Sequence, residues 1–266
     1  MIEIFQYDFM IRAFEAGIAV AIAAPLIGMF LVVKRYSLLS DTLAHISLAG
    51  VATGLFFQFN PIFSAILFSV GASFIIEWLR HSRRIFSESV LAIFLSGSLA
   101  LAVVILSLAK GFNANLFSYL FGSISTVSPS DVIVILALAV VVFLSIVIFY
   151  KELFLVSLDE ELTQASGLPV RRLNFMMVTL AAVTVALSIR IVGVLLIGAL
   201  MVIPVVSAMQ YGKGFRSTLF LSVLISLFSV VGGLFSSYYL NIASGGTIVL
   251  VALIIFLGSV IFTKKE

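Results

Sequence analysis

The sequence predicts an all-α, polytopic membrane bundle of eight or nine transmembrane helices, and three observations carry that prediction. Of the 266 residues, 62% are hydrophobic and 10% charged, whereas a soluble domain is roughly 45–50% apolar and ~25% charged. The mean hydropathy is +1.29. Apolar stretches of about 20 residues, enough to cross ~30 Å of hydrocarbon as a helix, recur between short charged or proline-bearing breaks. With only 15 Lys+Arg and 12 Asp+Glu, a water-soluble globule could not cover so much apolar surface, so a soluble enzyme is excluded. The absence of cysteine removes disulfides, thiolate metal sites and a cysteine nucleophile.

Cutting the chain at charge, proline and turn clusters gives nine spans in a single domain, 1–266. They run approximately Phe9 to Val33, Leu38 to Gln58, Ile62 to Leu79, Ser89 to Ala109, Val132 to Phe149, Leu173 to Ile189, Val192 to Met209, Ser217 to Tyr239 and Thr247 to Phe262. Cytoplasmic loops are enriched in Lys and Arg. Placing the first connection inside puts Lys34, Arg35, Arg80, Arg83, Arg84, Lys151, Arg171, Arg172, Lys213, Arg216, Lys264 and Lys265 inside. Only Arg12, Lys110 and Arg190 are then outside, with the N-terminus out and the C-terminus in. The break at Arg190 preserves that alternation, whereas merging its two flanking spans destroys it. The net charge of +3 therefore reports topology rather than nucleic-acid binding. The amino-terminal stretch lacks a basic n-region and a small-residue cleavage site, so it is expected to remain as the first span.

Two connections are long. The outer loop, about 110–131, has an apolar run at Phe117 to Phe121 that suggests a short interfacial or re-entrant helix. The inner loop, about 151–172, reads KELFLVSLDEELTQASGLPVRR. Within it, Ser157 can cap a helix, Asp159 to Glu161 suit its first turn, and Gly167 with Pro169 stop it. A short helix over Ser157 to Ser166 or a solvated loop both fit. Pro25 and Pro204 fall inside spans, where each removes a backbone donor and kinks the helix; such breaks often line substrate paths. A plain packing kink is the alternative, fitting Pro25 at least as well but Pro204 less, where IGALMVIPVVSA also supplies small residues for close packing.

Ionisable groups in hydrocarbon are costly and mark candidate sites. Most have local explanations. Glu77 lies three residues before Arg80 at a span end, and Glu88 follows Ser87 at a helix start. Asp8, Arg12 and Glu15 can neutralise one another along one face, and Arg190 can snorkel outward. Asp41 and His45 remain. Four residues apart, they share a helix face, and carboxylate plus imidazole suits Zn(II), Mn(II) or Fe(II). The second histidine, His81, lies in a basic loop without a comparable partner. Two ligands cannot carry a metal through a membrane, but a two-fold dimer with its axis beside this helix presents four. The alternative is a local i, i+4 pair near the helix start. Gly50 and Gly54 form a GxxxG on the opposite side, expected to pack closely on a neighbouring helix.

These residues resemble the membrane permease subunits of ATP-binding-cassette importers for zinc, manganese and iron, and the likeness covers essentially the whole chain. The most specific segment is SDTLAHISLAGVATGL at 40 to 55, whose D-T-L-A-H core is typical of the zinc branch. YLFGSISTVSP at 119 to 129 resembles the family's outer-loop motif, LDEELTQASGLPVRR its cytoplasmic loop and GVLLIGALMVIPVVSAM at 193 to 209 its late helix. The resemblance implies a non-enzymatic transport subunit that imports a divalent metal, zinc first, with manganese or iron(II) as the alternative. It places Asp41 and His45 at the metal site of the path. Coupling to the ATPase falls to Glu160, Glu161, Ala165 and Gly167; Pro25 and Pro204, from their place inside spans, are the candidate kinks on the path. It also implies a second permease copy, two cytoplasmic ATP-binding subunits, an extracytoplasmic metal-binding protein and a prokaryotic plasma membrane. No G-x-x-x-x-G-K-[ST] loop occurs in the chain, so ATP is expected in the partner subunit. Two other classes compete. An intramembrane metalloenzyme would need a third ligand and a general base, and neither H-E-x-x-H nor a second intramembrane histidine is present. A membrane scaffold would use Asp41 and His45 only as a local pair.

Overall fold

A computed structural model describes residues 3–81, 86–108, 114–123 and 127–263. Arg83, Arg84, Lys110, Lys264 and Lys265, and positions 124–126 of the outer-loop motif, lie outside the described residues, so the expectations placed on them are not addressed further.

The described residues are helical from end to end. The helices are α1 (Asp8–Val33), α2 (Leu38–Phe56), α3 (Pro61–His81), α4 (Ser87–Leu108), α5 (Ala114–Phe121), α6 (Pro129–Ile148), α7 (Tyr150–Leu158), α8 (Glu160–Ala165), α9 (Val170–Val192), α10 (Ile197–Met209), α11 (Phe215–Leu240) and α12 (Ser244–Thr263). Eight of them are long and apolar enough to cross a membrane. The ninth expected span is α10, and it differs. Its 13 residues rise only about 20 Å, short of the ~30 Å hydrocarbon core. The break near Arg190 is real, but it falls at Gly193 and opens a half-length helix.

Burial sorts the helices by position. α1, α2 and α9 are mostly enclosed, whereas α3, α4, α6 and α12 bury a third or less of their apolar length. The outer ring presents side chains such as Phe220, Phe228, Ile254 and Phe262, a surface suited to acyl chains rather than water. The GxxxG expectation holds. A Cβ on Gly50 would lie 2.7 Å from the Ala65 Cα and the Ser64 carbonyl, and one on Gly54 would lie 2.9 Å from the Pro61 Cα. Only bare glycine lets α2 and α3 approach so closely.

Two turns set the functional end of α2 and the start of α10. α1 closes in a Schellman arrangement, with Tyr36 N–H donating to Leu31 O at 2.8 Å and Arg35 N–H to Val32 O at 3.0 Å. Arg35 takes the left-handed conformation (φ 58°) that glycine more often fills there. At the other end, the α9–α10 turn is tied to the last turn of α5 and the residues just after it. Val194 N–H donates to Tyr119 O at 2.9 Å, Leu195 N–H to Leu120 O at 3.2 Å and Ser123 N–H to Arg190 O at 3.1 Å. Gly193 carries the turn at φ 86°, ψ 156°, a region essentially reserved for glycine. The outer-loop helix expected around Phe117 to Phe121 is α5.

Four local expectations need correction. Ser157 caps nothing, because it lies within α7 and donates to Leu153 O at 2.7 Å. Asp159 is the N-cap of α8, accepting from Glu161 N–H at 2.9 Å and Leu162 N–H at 3.0 Å, since a carboxylate reaches two free amides at once. Arg190 does not snorkel but pairs with Asp131 at 3.0 Å and donates to Tyr119 Oη at 3.2 Å. Arg12 does not serve Asp8 and Glu15; its Nε donates to Val127 O at 3.0 Å. His81, the last residue of α3, does have an acidic partner: its Nδ1 is 3.3 Å from Glu77 Oε1.

Candidate functional site

The α1–α2 turn leaves Asp41 on the first turn of α2 and His45 one turn further along. Asp41 is exposed and His45 half-buried. No ion pair or hydrogen bond joins them among the described residues, so the local-pair reading lacks its contact. The Nδ1 of His45 is enclosed with no hydrogen-bond partner among the described residues, which leaves Nε2 as the nitrogen free to meet a ligand.

Local spacing missed a third participant. The first turn of α10 packs on Asp41 so closely that a Cβ at Gly198 would stand 1.7 Å from Asp41 Oδ1 and 3.3 Å from Ser40 Oγ. The carboxylate therefore rests against bare backbone at a helix start, where the peptide dipoles favour negative charge. Glycine within the 193–209 motif was the one available signal, and it did not specify what the glycine would meet. Among the described residues, no three His, Asp or Glu side chains gather to hold a metal. Asp41 and His45 are the two candidate donors that the described residues of one chain bring to this place.

The second candidate site lies at the basic end. Glu160 of α8 is turned inward, where its Oε1 meets Lys34 Nζ at 2.7 Å, Arg80 Nη2 at 2.8 Å and Asn174 Nδ2 at 3.1 Å. Lys34 also donates to Asn174 Oδ1. Arg80 holds the fully buried Glu77 through two bonds of 2.9 and 3.1 Å. One carboxylate thus ties α8 to the ends of α1 and α3 and the start of α9. Burial alone would raise the Glu160 pKa, but hydrogen bonding and charge from Lys34, helped by Arg80, bring it down to about 2. Lys34 moves downward as well, through burial and the repulsion of Arg80 against the pull of Glu160. The asymmetry follows exposure, since the Lys34 side chain is 8% exposed and that of Glu160 35%.

Of the residues expected to face a partner, Glu161, Ala165 and Gly167 do lie on the surface. Glu161 also borders an open depression of about 800 Å³ lined in part by His81, Gln164, Arg171 and Arg172. Glu160 is the exception, anchoring the element instead of presenting it. Pro25 and Pro204 are both buried inside their helices, α1 and α10.

Comparison with known proteins places the chain in a family. Residues 6–263 match the ABC 3 transport family. The manganese import system permease protein ScaB of Streptococcus gordonii is 32% identical, over 98% of this chain and 94% of that protein. The high-affinity zinc uptake system membrane protein ZnuB of Haemophilus influenzae is 28% identical, over 98% of this chain and 99% of that protein. Among solved structures, PsaBC from Streptococcus pneumoniae in complex with Fab superposes with a TM-score of 0.86 at 32% identity, covering 96% of this chain and 92% of that one.

Proposed function

The chain belongs to the ABC 3 transport family and is the membrane permease of a metal importer, and from that premise we propose that its ion passes between Asp41 and His45 of two copies. The observation that carries the reading is the incomplete pair itself. Asp41 and His45 share a face, do not satisfy each other and find no third ligand among the described residues. A two-fold partner supplies two more, giving four N/O donors without thiolate. Such a set binds a divalent cation and, being softer in its grip than a Cys-rich site, can release it.

The Lys and Arg bias makes the end bearing Lys34, Arg80, Arg171 and Arg172 cytoplasmic. There the exposed face of α8, with Glu161, Ala165 and Gly167, meets a separate ATP-binding subunit, one for each permease copy. An extracytoplasmic metal-binding protein delivers the ion at the opposite end in a prokaryotic plasma membrane. Glu160 gives the docked helix something to pull on. Pro25 and Pro204 interrupt the hydrogen bonding of α1 and α10 beside the path and soften those helices where a rocking motion needs give.

Two cargo readings stand. The D-T-L-A-H core favours zinc, while the 32% identity to a manganese permease favours manganese. Uptake of radiolabelled zinc and manganese by proteoliposomes containing the permease with its ATPase subunits separates them. In the same vesicles D41A and H45A should each abolish uptake while ATPase association persists, and undiminished uptake in both variants would refute the site.

A further inference from the structure

On the side where α1, α6 and α11 meet α7, a second cavity of about 570 Å³ opens at the basic end. Its apolar wall is the exposed last turns of α6, with Phe143, Val147 and Ile148. Its rim is charged, with Lys151 and Glu152 from the first turn of α7 and Arg216 from the first turn of α11. Among the described residues no ion pair joins these three to one another or to any other group. Arg216 lies over the Tyr150 ring at 5.3 Å, and Glu152 Oε2 is enclosed with no hydrogen-bond partner. The two cations therefore lack an anion, the carboxylate lacks a donor, and the wall below them is greasy.

We propose that this cavity binds one anionic glycerophospholipid of the phosphatidylglycerol class. Its phosphate sits between Lys151 and Arg216, its glycerol hydroxyls donate to Glu152, and one acyl chain lies along α6. The charges favour this occupant. Lys151, Arg216 and Glu152 sum to +1, which a headgroup of net charge −1 neutralises and a zwitterion does not. Basic pockets where transmembrane helices reach the cytoplasmic surface suit such headgroups, each Lys or Arg strengthening binding several-fold. The geometry also seats the lipid against both α7, which leads into α8, and α11, so a bound molecule would brace the arm that carries the coupling helix. The inference concerns a ligand other than the cargo and stands whichever ion is carried.

The test is native mass spectrometry of the full chain, purified in the assembly it forms and titrated with phosphatidylglycerol, phosphatidylethanolamine or phosphatidylcholine. Phosphatidylglycerol should be retained roughly tenfold more strongly than phosphatidylcholine. K151Q should lose part of that preference and K151Q/R216Q nearly all of it, while R171Q/R172Q, at the other basic depression, keeps it. Equal retention of all three lipids, or an unchanged preference in K151Q/R216Q, would overturn the proposal. So would tighter retention of phosphatidylethanolamine, which would make the occupant a zwitterion. Displacement of phosphatidylglycerol by millimolar inorganic phosphate alone would mark a free-anion site instead. Dissociation of the permease dimer in K151Q, with lipid retention unchanged, would show that a second copy fills the cavity.

Discussion

In the proposed site the Asp41 carboxylate is caught between two demands: it must stay ionised to take a cation, and it lies hard against the start of α10. Gly198 meets both by having no side chain. A methyl at that position would fall 1.7 Å from Asp41 Oδ1, and since that oxygen is the free end of an exposed side chain, it would swing aside rather than strain the fold. G198A should therefore lower metal affinity in the assembled transporter by roughly 10–100-fold, the range for displaced support around a metal ligand. Its melting temperature should stay near wild type, with isothermal titration and thermal unfolding run on the same preparation. Arg80 is the opposite case. Its loss leaves the Glu77 carboxylate, 0% exposed, with His81 as its one remaining ion-pair partner among the described residues. Stripping one partner from a buried pair costs about 3–5 kcal/mol, so R80M should show a large drop in unfolding midpoint where G198A shows almost none.

Among the elements, α8 shows how a short helix gains leverage. Six residues form a marginal helix alone, and this one persists because Asp159 caps its start and Glu160 fastens its flank to α1, α3 and α9. E160Q keeps the hydrogen-bonding shape but removes the charge that Lys34 and Arg80 share. ATP hydrolysis in proteoliposomes should continue while ions moved per ATP fall several-fold, and an unchanged ratio would remove Glu160 from the transmission. With its pKa held at about 2, below the ordinary ~4.3, Glu160 lends stability that is full above the ordinary value and lost as the pH falls toward 2. The coupling ratio of wild type should accordingly be flat between about pH 5 and 8. The sequence made the long helices legible because hydrocarbon imposes one period and one length, and it made Asp41 and His45 legible because their spacing is local. The α8 latch was not legible. Lys34, Arg80 and Glu160 are far apart along the chain, and residue spacing carries no information about which helix ends converge. For the same reason Arg190 read as a charge snorkelling outward without its partner Asp131, and the capping role went to Ser157 when a two-bond acceptor stood two residues later.

Across the whole molecule, the proposed sharing of two ligands from each copy has an arithmetic consequence. If each copy held a complete site, mixing wild-type chains with an equal amount of D41A/H45A chains would leave about half the uptake, because wild-type chains would work wherever they sat. If the ion is held across a two-fold axis, a mixed pair has only one Asp and one His, and with random association about a quarter of the pairs are fully wild type. Uptake should then fall to about a quarter, while ATPase binding, which relies on the α8 face of every chain, is undiminished. Uptake near one half would place the second pair of ligands elsewhere in the same chain. The closeness of α10 to Asp41 ties the quarter to the fold, because a half-length helix starts against the proposed ligand, and any displacement of that helix would disturb the four-donor set.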